Sequence, residues 1–485
     1  ARAATAAPAG GKARRRQSVG PQPHRAQKRP PVTPRPAKRG PATPDPATPG
    51  LAARKTAARL LSAIVDARTP LDGLTDHDHG HPQFRALELR DRALVRAILT
   101  TALRFRRTIQ ALIDARLERP LPANAHALSH ILHVAAAQIL FLDVPDSAAV
   151  DLAVTHAKED PRTTRFSALV NGVLREIARR KERALPAALA QTTDAPDWFA
   201  QGLRETYGEA HAAAILAAHR LEPAIDLTVK SDAEGWASRL GGIALPTGGV
   251  RLERLPGPLT ELPGFSDGEW WVQDAAASLP ARLFGDIAGQ RVADLCAAPG
   301  GKTAQLAHAG ATVTALELSP NRAKRLAANL DRLKLEARIV EGDLFAFTPD
   351  APFDAVLLDA PCSSTGTVRR HPDVPWTKGP RDVEKLAALQ ARMLAHAATL
   401  VKPGGRIVFS NCSLERAEGE ALVEAFLAAD PEIVADPVRP GEFPFLDPFL
   451  NDDGTIRTTP AGLTLASPAV SGLDGFFAAR LKRRA

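Results

Sequence analysis

The hydrophobic residues between positions 51 and 185 recur at helical spacing. In the first segment, apolar side chains fall at i, i+3, i+4, i+7 and i+8, namely Ala57, Leu60, Leu61, Ile64 and Val65. This period is typical of a helix with one face packed against a core. Similar patterns, separated by prolines, predict further helices over residues 83–102, 108–116, 125–141, 147–155 and 165–181. Residues 51–185 are therefore predicted to form an all-α helical domain.

A different pattern begins at residue 286, where short apolar runs alternate with amphipathic segments. The runs predict strands at residues 292–296, 312–318, 337–340, 354–358 and 405–410, and the segments predict helices at 302–309, 321–333, 381–400 and 417–428. Such alternation favours an open, mostly parallel sheet with helices on both faces, so residues 286–485 are predicted to be an α/β, Rossmann-like domain. Residues 190–285 are less regular and predict a small α+β unit between the two domains.

The charge of the chain is concentrated at its start. The formal net charge is +8, yet residues 1–50 alone contain eleven Lys or Arg, eleven prolines and one acid, Asp45. A segment with so little apolar surface cannot bury enough to fold, so it is predicted to be a disordered basic tail. Such a tail is either a solubilising extension or a contact for a polyanion.

Two features of the composition concern the compartment. No apolar run approaches the roughly 18 residues of a membrane span. Three cysteines cannot all pair within one chain, which favours a reducing environment. A cytoplasmic protein without a membrane partner is therefore expected.

A glycine-containing turn follows the first predicted strand of the α/β domain. The segment C-A-A-P-G-G-K-T lacks the first glycine of a phosphate-binding P-loop, because Cys296 stands in its place. Acidic residues follow the next two strands, where carboxylates can accept hydrogen bonds from a ribose and an adenine. This combination predicts S-adenosylmethionine as the cofactor and no metal. The predicted cofactor-binding residues are Cys296, Ala297, Ala298, Pro299, Gly300, Gly301, Lys302, Glu317, Asp343 and Asp359.

Two further strands are each followed by a cysteine. Asp359 and Cys362 lie in D-A-P-C after one strand, and Cys412 lies in S-N-C-S after another. The carboxyl ends of parallel strands share one crevice, so these groups are expected to converge. A thiolate that adds to carbon 6 of cytosine makes carbon 5 nucleophilic, and a carboxyl group on the ring stabilises the charge that develops. The residues therefore favour methylation of cytosine at carbon 5 and leave open which thiol attacks.

These motifs together resemble a known family. The segments C-A-A-P-G-G-K-T, F-D-A-V-L-L-D-A-P-C-S-S-T-G, R-R-H-P-D and S-N-C-S are similar to the bacterial RsmB (Sun/Fmu) group, and R-F-S-A-L-V-N-G-V-L-R is similar to its NusB-like N-terminal domain. Members of that group methylate cytosine C5 in small-subunit ribosomal RNA. The resemblance implies that Cys412 is the nucleophile, that Cys362 assists product release and that Asp359 stabilises the base. One departure is Asn411, where the family usually has threonine.

The resemblance also implies a partner. The expected substrate is 16S ribosomal RNA that is not fully assembled, bound by a monomer. We expect the basic clusters at residues 104–107 and 175–181 to hold RNA phosphates. The alternatives are another polynucleotide (transfer RNA, large-subunit RNA or DNA) and a non-catalytic RNA-binding assembly factor.

Overall fold

The computed structural model describes residues 48–485, so nearly all of the predicted tail of residues 1–50 lies outside the described residues. The first part of the described chain is helical. Its helices are α1 (Leu51–Val65), α2 (Leu71–Leu74), α3 (Pro82–Arg85), α4 (Leu89–Arg104), α5 (Arg106–Asp114), α6 (His126–Phe141), α7 (Asp146–Glu159) and α8 (Ser167–Gln191). The predicted apolar face of α1 is buried, with Leu60, Leu61 and Ile64 packed in one core with Ile98 of α4 and Leu132 of α6. The helical class predicted for this region is confirmed.

One predicted helix is divided in the structure, and one predicted domain end falls inside a helix. The predicted helix over residues 83–102 is divided into α3 and α4, because Glu88 has an extended backbone (φ −65°, ψ 158°). The predicted domain end at residue 185 falls inside α8, which continues through Pro186. The next helix, α9 (Asp197–His219), is interrupted at Gly208, whose φ of +76° breaks helical geometry.

A small antiparallel sheet follows α9. Its strands are β1 (Ile225–Val229), β2 (Ile243–Ala244), β3 (Gly249–Leu252) and β4 (Trp270–Val272), in the order β2-β3-β1-β4. The helix α10 (Ala233–Leu240) lies between β1 and β2 in the chain. Its fully buried Arg251 donates to Asp226 (Nε to Oδ1, 2.6 Å) and to the carbonyl oxygens of Val470 and Gly472 (2.8 and 2.6 Å). This unit is therefore tied to the C-terminal segment of the chain.

The remaining elements form the predicted α/β domain. They are β5 (Arg291–Asp294), α11 (Gly301–His308), β6 (Thr312–Glu317), α12 (Pro320–Leu333), β7 (Arg338–Glu341), β8 (Phe353–Asp359), α13 (Val374–Thr377), α14 (Pro380–Thr399), β9 (Val401–Asn411), α15 (Glu420–Ala429), β10 (Ile433–Ala435), β11 (Ile456–Thr458) and β12 (Phe476–Arg483). The sheet order is β10-β12-β9-β8-β5-β6-β7, and β11 pairs with β12. Strands β5 to β9 are parallel, as predicted. Strands β10, β11 and β12 are antiparallel additions that the periodicity did not predict.

The segment of residues 369–376, which includes most of α13, contacts the helical domain. The Leu71 amide donates to Asp373 Oδ2 (3.0 Å), and Trp376 Nε1 donates to the carbonyl oxygen of Leu103 (3.2 Å). His371 Nδ1 lies 3.2 Å from Asp72 Oδ2. These contacts place the R-R-H-P-D motif at the interface between the two domains.

Between residues 48 and 485, no helix combines the length and the apolar character that crossing a bilayer requires.

Candidate active site

The turn after β5 approaches its neighbours too closely for a side chain. Gly300 has φ +106°, and a Cβ atom there would lie 2.6 Å from Cδ1 of Leu326. A Cβ at Gly301 would lie 3.3 Å from the Gln273 side chain. The two glycines therefore allow the chain to turn sharply from β5 into the N-terminus of α11.

This turn borders a cavity of about 410 Å³. Eight of the predicted cofactor-binding residues line it: Cys296, Ala297, Ala298, Pro299, Gly300, Gly301, Lys302 and Asp359. The other walls include residues that the prediction missed, among them Leu259, Phe265, Trp271, Gln273 and Arg332. Trp271 and Gln273 belong to the segment W-W-V-Q-D at residues 270–274, whereas Leu259, Phe265 and Arg332 carry no signal in the sequence. Glu317 and Asp343 are not among the residues that line this cavity.

Asp294 is one of two buried acids, with Asp274, that line the cavity. The Thr303 hydroxyl donates to its Oδ2 (2.7 Å), whereas its buried Oδ1 has no hydrogen-bond partner. Burial raises the pKa of Asp294 to about 6, and the nearby charge of Asp359 also raises it. An unpartnered buried carboxylate oxygen on a cavity wall is suited to accept from a cationic or N–H-bearing ligand.

Cys296 differs from the other two cysteines. It packs against the core of the α/β sheet, and burial raises the pKa of its thiol. A thiol in this environment is inert, which fits a packing role within the turn.

The two predicted nucleoside contacts lie at the ends of β6 and β7. Glu317 is buried and accepts from the backbone amides of Ala298 (3.3 Å) and Ser319 (3.0 Å), with Arg322 Nη1 at 3.4 Å. Asp343 is exposed and accepts from the Phe345 amide (3.1 Å). The roles of Glu317 and Asp343 in cofactor binding stay predictions.

The register of two parallel strands brings the reacting groups together. Asp359 at the end of β8 pairs with Ser410 on β9, so the turns that follow both strands leave the sheet side by side. Lys302 Nζ lies 2.7 Å from Asp359 Oδ2, and the Ser410 hydroxyl donates to Asp359 Oδ1 (2.9 Å). Asp359 is thereby fixed at the mouth of the crevice.

The two cysteine thiols are paired. The sulfur atoms of Cys362 and Cys412 are 3.5 Å apart, and Ser364 Oγ lies 3.6 Å from the Cys412 sulfur. With Cys362 as the donor, their hydrogen bond lowers the pKa of Cys412 and raises the pKa of Cys362. Burial raises the pKa of Cys362 further. The structure therefore places the two thiols in direct contact, and their separate roles stay predictions.

The first basic cluster does not present a free phosphate-binding surface. Arg104 Nη2 donates to the carbonyl oxygen of Arg369 (2.8 Å), and the guanidinium of Arg106 lies over the ring of Trp376 (5.7 Å). Burial lowers the pKa of Arg106 to about 10. Arg104 and Arg106 therefore stabilise the domain interface, whereas the partly exposed Arg107 pairs with Asp197 (2.8 Å), and the expected role of the cluster in RNA binding stays a prediction.

The second basic cluster, at residues 175–181, is partly neutralised. Lys181 pairs with Asp146 (2.9 Å), and Arg179 and Arg180 both pair with Glu176. Arg175, Arg179 and Arg180 nevertheless stay exposed to solvent.

One group in the described chain has the composition of a metal site. Ligand atoms of Asp66, His126 and His130 all lie within 4.8 Å of one another in the helical domain. His130 Nε2 already bonds to Asp66 Oδ2 (2.8 Å), and the positive charge of Arg106 acts on His130. The group does not belong to the cofactor cavity.

The fold and the site define a class of protein: a Rossmann-like methyltransferase domain with a paired-thiol crevice, preceded by a helical domain. Residues 285–482 match the family described as 16S rRNA methyltransferase RsmB/F, and residues 51–179 match the NusB family. The chain is 36% identical over 445 residues to ribosomal RNA small subunit methyltransferase B of Xylella fastidiosa, which covers 88% of this chain and 97% of that protein. The chain belongs to the RsmB family of methyltransferases.

Two further similarities agree with this assignment. The protein of the same name from Salmonella arizonae is 31% identical over 450 residues, covering 89% of this chain and 98% of that protein. The crystal structure of PH0851 covers 90% of this chain and 99% of its own, with a TM-score of 0.64 at 22% identity, and shows the same fold.

Proposed function

We propose that this protein transfers a methyl group from S-adenosylmethionine to carbon 5 of a cytosine in 16S ribosomal RNA, through a covalent adduct with Cys412. The observation that carries the proposal is the thiol pair, in which Cys362 lowers the pKa of Cys412. A thiolate is the reactive form of cysteine, so a lowered pKa supplies more of the nucleophile near neutral pH.

The residues account for the bonds that form and break. The Cys412 sulfur bonds to carbon 6 of the cytosine, and the electrons of the C5–C6 double bond become available at carbon 5. The carboxyl group of Asp359 is proposed to donate a proton to ring nitrogen 3, which neutralises the negative charge that the thiolate brings, and to accept from the exocyclic amine. After carbon 5 is methylated, its proton leaves to a base, the double bond forms again and the C6–S bond breaks. Cys362 lies 3.5 Å from the sulfur of that bond, where it can assist the release.

The cavity fits the proposed cofactor. The unpartnered Oδ1 of Asp294 can accept from an ammonium group, and Phe265 and Trp271 supply apolar walls for an adenine. Gly300 and Gly301 let the turn pack against Leu326 and Gln273, which brings its backbone to the cavity wall. Glu317 and Asp343 are proposed to contact the ribose and the adenine. When bound, S-adenosylmethionine supplies an electrophilic methyl group.

The target cytosine must leave its stack to reach this crevice. Unpaired or incompletely assembled RNA lowers the cost of extruding a base, which supports naked or partly assembled 16S rRNA in the cytoplasm as the substrate. The exposed arginines of the second cluster and the basic residues 1–50 are proposed to attract its phosphates.

Bisulfite sequencing of RNA from a deletion strain tests the proposal. We expect one methylated cytosine of 16S rRNA to disappear, to return with the wild-type gene and to stay absent with Cys412→Ala. If the methyl group is lost from a cytosine in transfer RNA or large-subunit RNA instead, that RNA is the substrate. If Cys412→Ala restores methylation of the 16S cytosine, the proposed nucleophile is wrong. If no cytosine loses its methylation in the deletion strain, a non-catalytic assembly factor is favoured.

A further inference from the structure

A fully buried glutamate lies between the two cysteine turns. Glu418 precedes α15, and its side chain has no exposed surface. Oε1 accepts from the Ser363 amide (2.9 Å) and from Gln390 Nε2 (2.8 Å). Oε2 accepts from the hydroxyls of Ser363 and Ser413, both at 2.5 Å. A buried carboxylate with four donors is satisfied without a positively charged partner.

Three of the four donors to Glu418 belong to the residues next to the paired thiols. Ser363 follows Cys362 directly, and Ser413 follows Cys412 directly. These residues are about 50 positions apart in the chain, and their hydroxyl oxygens are 3.1 Å from each other. One carboxylate therefore joins the turn after β8 to the turn after β9.

A second layer of hydrogen bonds holds the carboxylate in place. Gln390 of α14 accepts from Asn411 Nδ2 (3.2 Å), which also donates to the carbonyl oxygen of Glu418 (2.6 Å). Asn411 Oδ1 in turn accepts from the Ser413 amide (3.1 Å). The asparagine that replaces the usual threonine is thus part of the same network, and its longer side chain reaches α14.

We propose that Glu418 is a positioning residue that holds the Cys362 and Cys412 turns together so that the two thiols pair. The catalytic role of the thiols rests on the proposed function, whereas their pairing does not. Three hydrogen bonds from the two turns converge on this one side chain, so a change there moves the two sulfur atoms relative to each other.

Electrostatics point the same way. The contact between the thiols raises the pKa of Cys362 and lowers the pKa of Cys412. The negative charge of Glu418 raises the pKa of Cys362 further. The other charged groups that act on Cys412 are Asp359, which raises its pKa, and Lys302, which lowers it. Glu418 therefore favours Cys362 as the protonated partner.

Glu418→Gln is the sharpest variant, because it keeps the shape and replaces two of the four acceptor positions with a donor. In the substituted protein, an NH2 group would face either the Ser363 and Gln390 N–H groups or the two serine hydroxyls. Glu424→Gln makes the same chemical change at an exposed position of α15 and is the matched control.

The readout is the rate at which iodoacetamide alkylates each cysteine, measured by peptide mass spectrometry in the full-length protein at pH 6–9 without RNA or cofactor. In wild type and in Glu424→Gln, we expect Cys412 to react faster than Cys362. In Glu418→Gln, the ratio of the two rates at pH 7 should fall about tenfold, as for one unit of thiol pKa. Thermal melting of each variant separates this effect from a loss of folding.

A folded Glu418→Gln protein whose rate ratio stays within about twofold of wild type would overturn the proposal. If that variant does not fold, Ser363→Ala removes one hydroxyl of the network, and an unchanged ratio there would overturn it equally. Methylation of 16S rRNA is measured separately. If Glu418→Gln alters the ratio of alkylation rates but the wild-type protein transfers no methyl group, the proposed function is wrong and the positioning role of Glu418 stands.

Discussion

Asp294, a buried acid of the cavity beside the turn after β5, leads to a prediction about how the stability of the protein depends on pH. Burial raises the pKa of Asp294 from 3.8 to about 6, so its ionised form is disfavoured in the folded protein. A shift of roughly two units corresponds to about 3 kcal/mol of folding free energy lost once the group is ionised in both states. Because the folded pKa is the higher one, this stabilising contribution is complete below pH 4 and is lost as the pH rises through about 6.

Asp294→Asn cannot ionise and therefore avoids this loss. We compare the free energy of unfolding of Asp294→Asn with that of wild type. We expect this difference to favour the variant more at pH 8 than at pH 5, by roughly half of the 3 kcal/mol. For a domain of this size, that difference corresponds to about 3–6 °C in melting temperature. The difference between the two pH values cancels the pH-independent cost of an unpaired amide.

Differential scanning calorimetry without cofactor at pH 5 and pH 8 measures this difference. Asp452→Asn, the same change at an exposed position, is the control and should show no pH-dependent shift. Calorimetric titration with S-adenosylmethionine at pH 8 should show about tenfold or greater loss of affinity for Asp294→Asn, because a charged acceptor has been removed. Equal melting shifts of Asp294→Asn at both pH values would refute the assignment of a raised pKa.

Three other outcomes are expected. Cys412→Ala should lose methyl transfer by orders of magnitude while keeping its affinity for S-adenosylmethionine, and retention of about a tenth of wild-type turnover would contradict its role as nucleophile. Cys362→Ala should accumulate a covalent enzyme–RNA complex, visible as a shifted band on denaturing gels, and absence of adduct in this variant alone would reverse the two thiol roles. Glu317→Ala should weaken S-adenosylmethionine binding by about 1–3 kcal/mol in calorimetry, and an unchanged affinity would exclude the ribose contact.

Much of the site could be predicted from the sequence, because its parts are local. The cofactor turn and the thiol turns each follow a short apolar strand, and parallel strands must end at the same edge of a sheet. That rule predicted the convergence of Asp359, Cys362 and Cys412 that the structure contains. Glu418 carried no such signal, because an acidic residue before a helix is ordinarily exposed.

The arginines show the same limit. Arg104 and Arg106 form a basic run in the sequence. They lie at the domain interface because the segment of residues 369–376, more than 250 positions away, packs against them. Strand β12 was also missed, because its pairing partner β9 lies far away in the chain.

Periodicity was enough to predict the domain classes, and the motifs were enough to predict where the glycine turn and the two cysteine turns lie, since both signals act over a few neighbouring residues. The contact between the two thiols and the burial of charged side chains such as Glu418 became visible only in the three-dimensional structure. Both depend on distances and desolvation between segments that are far apart in the chain.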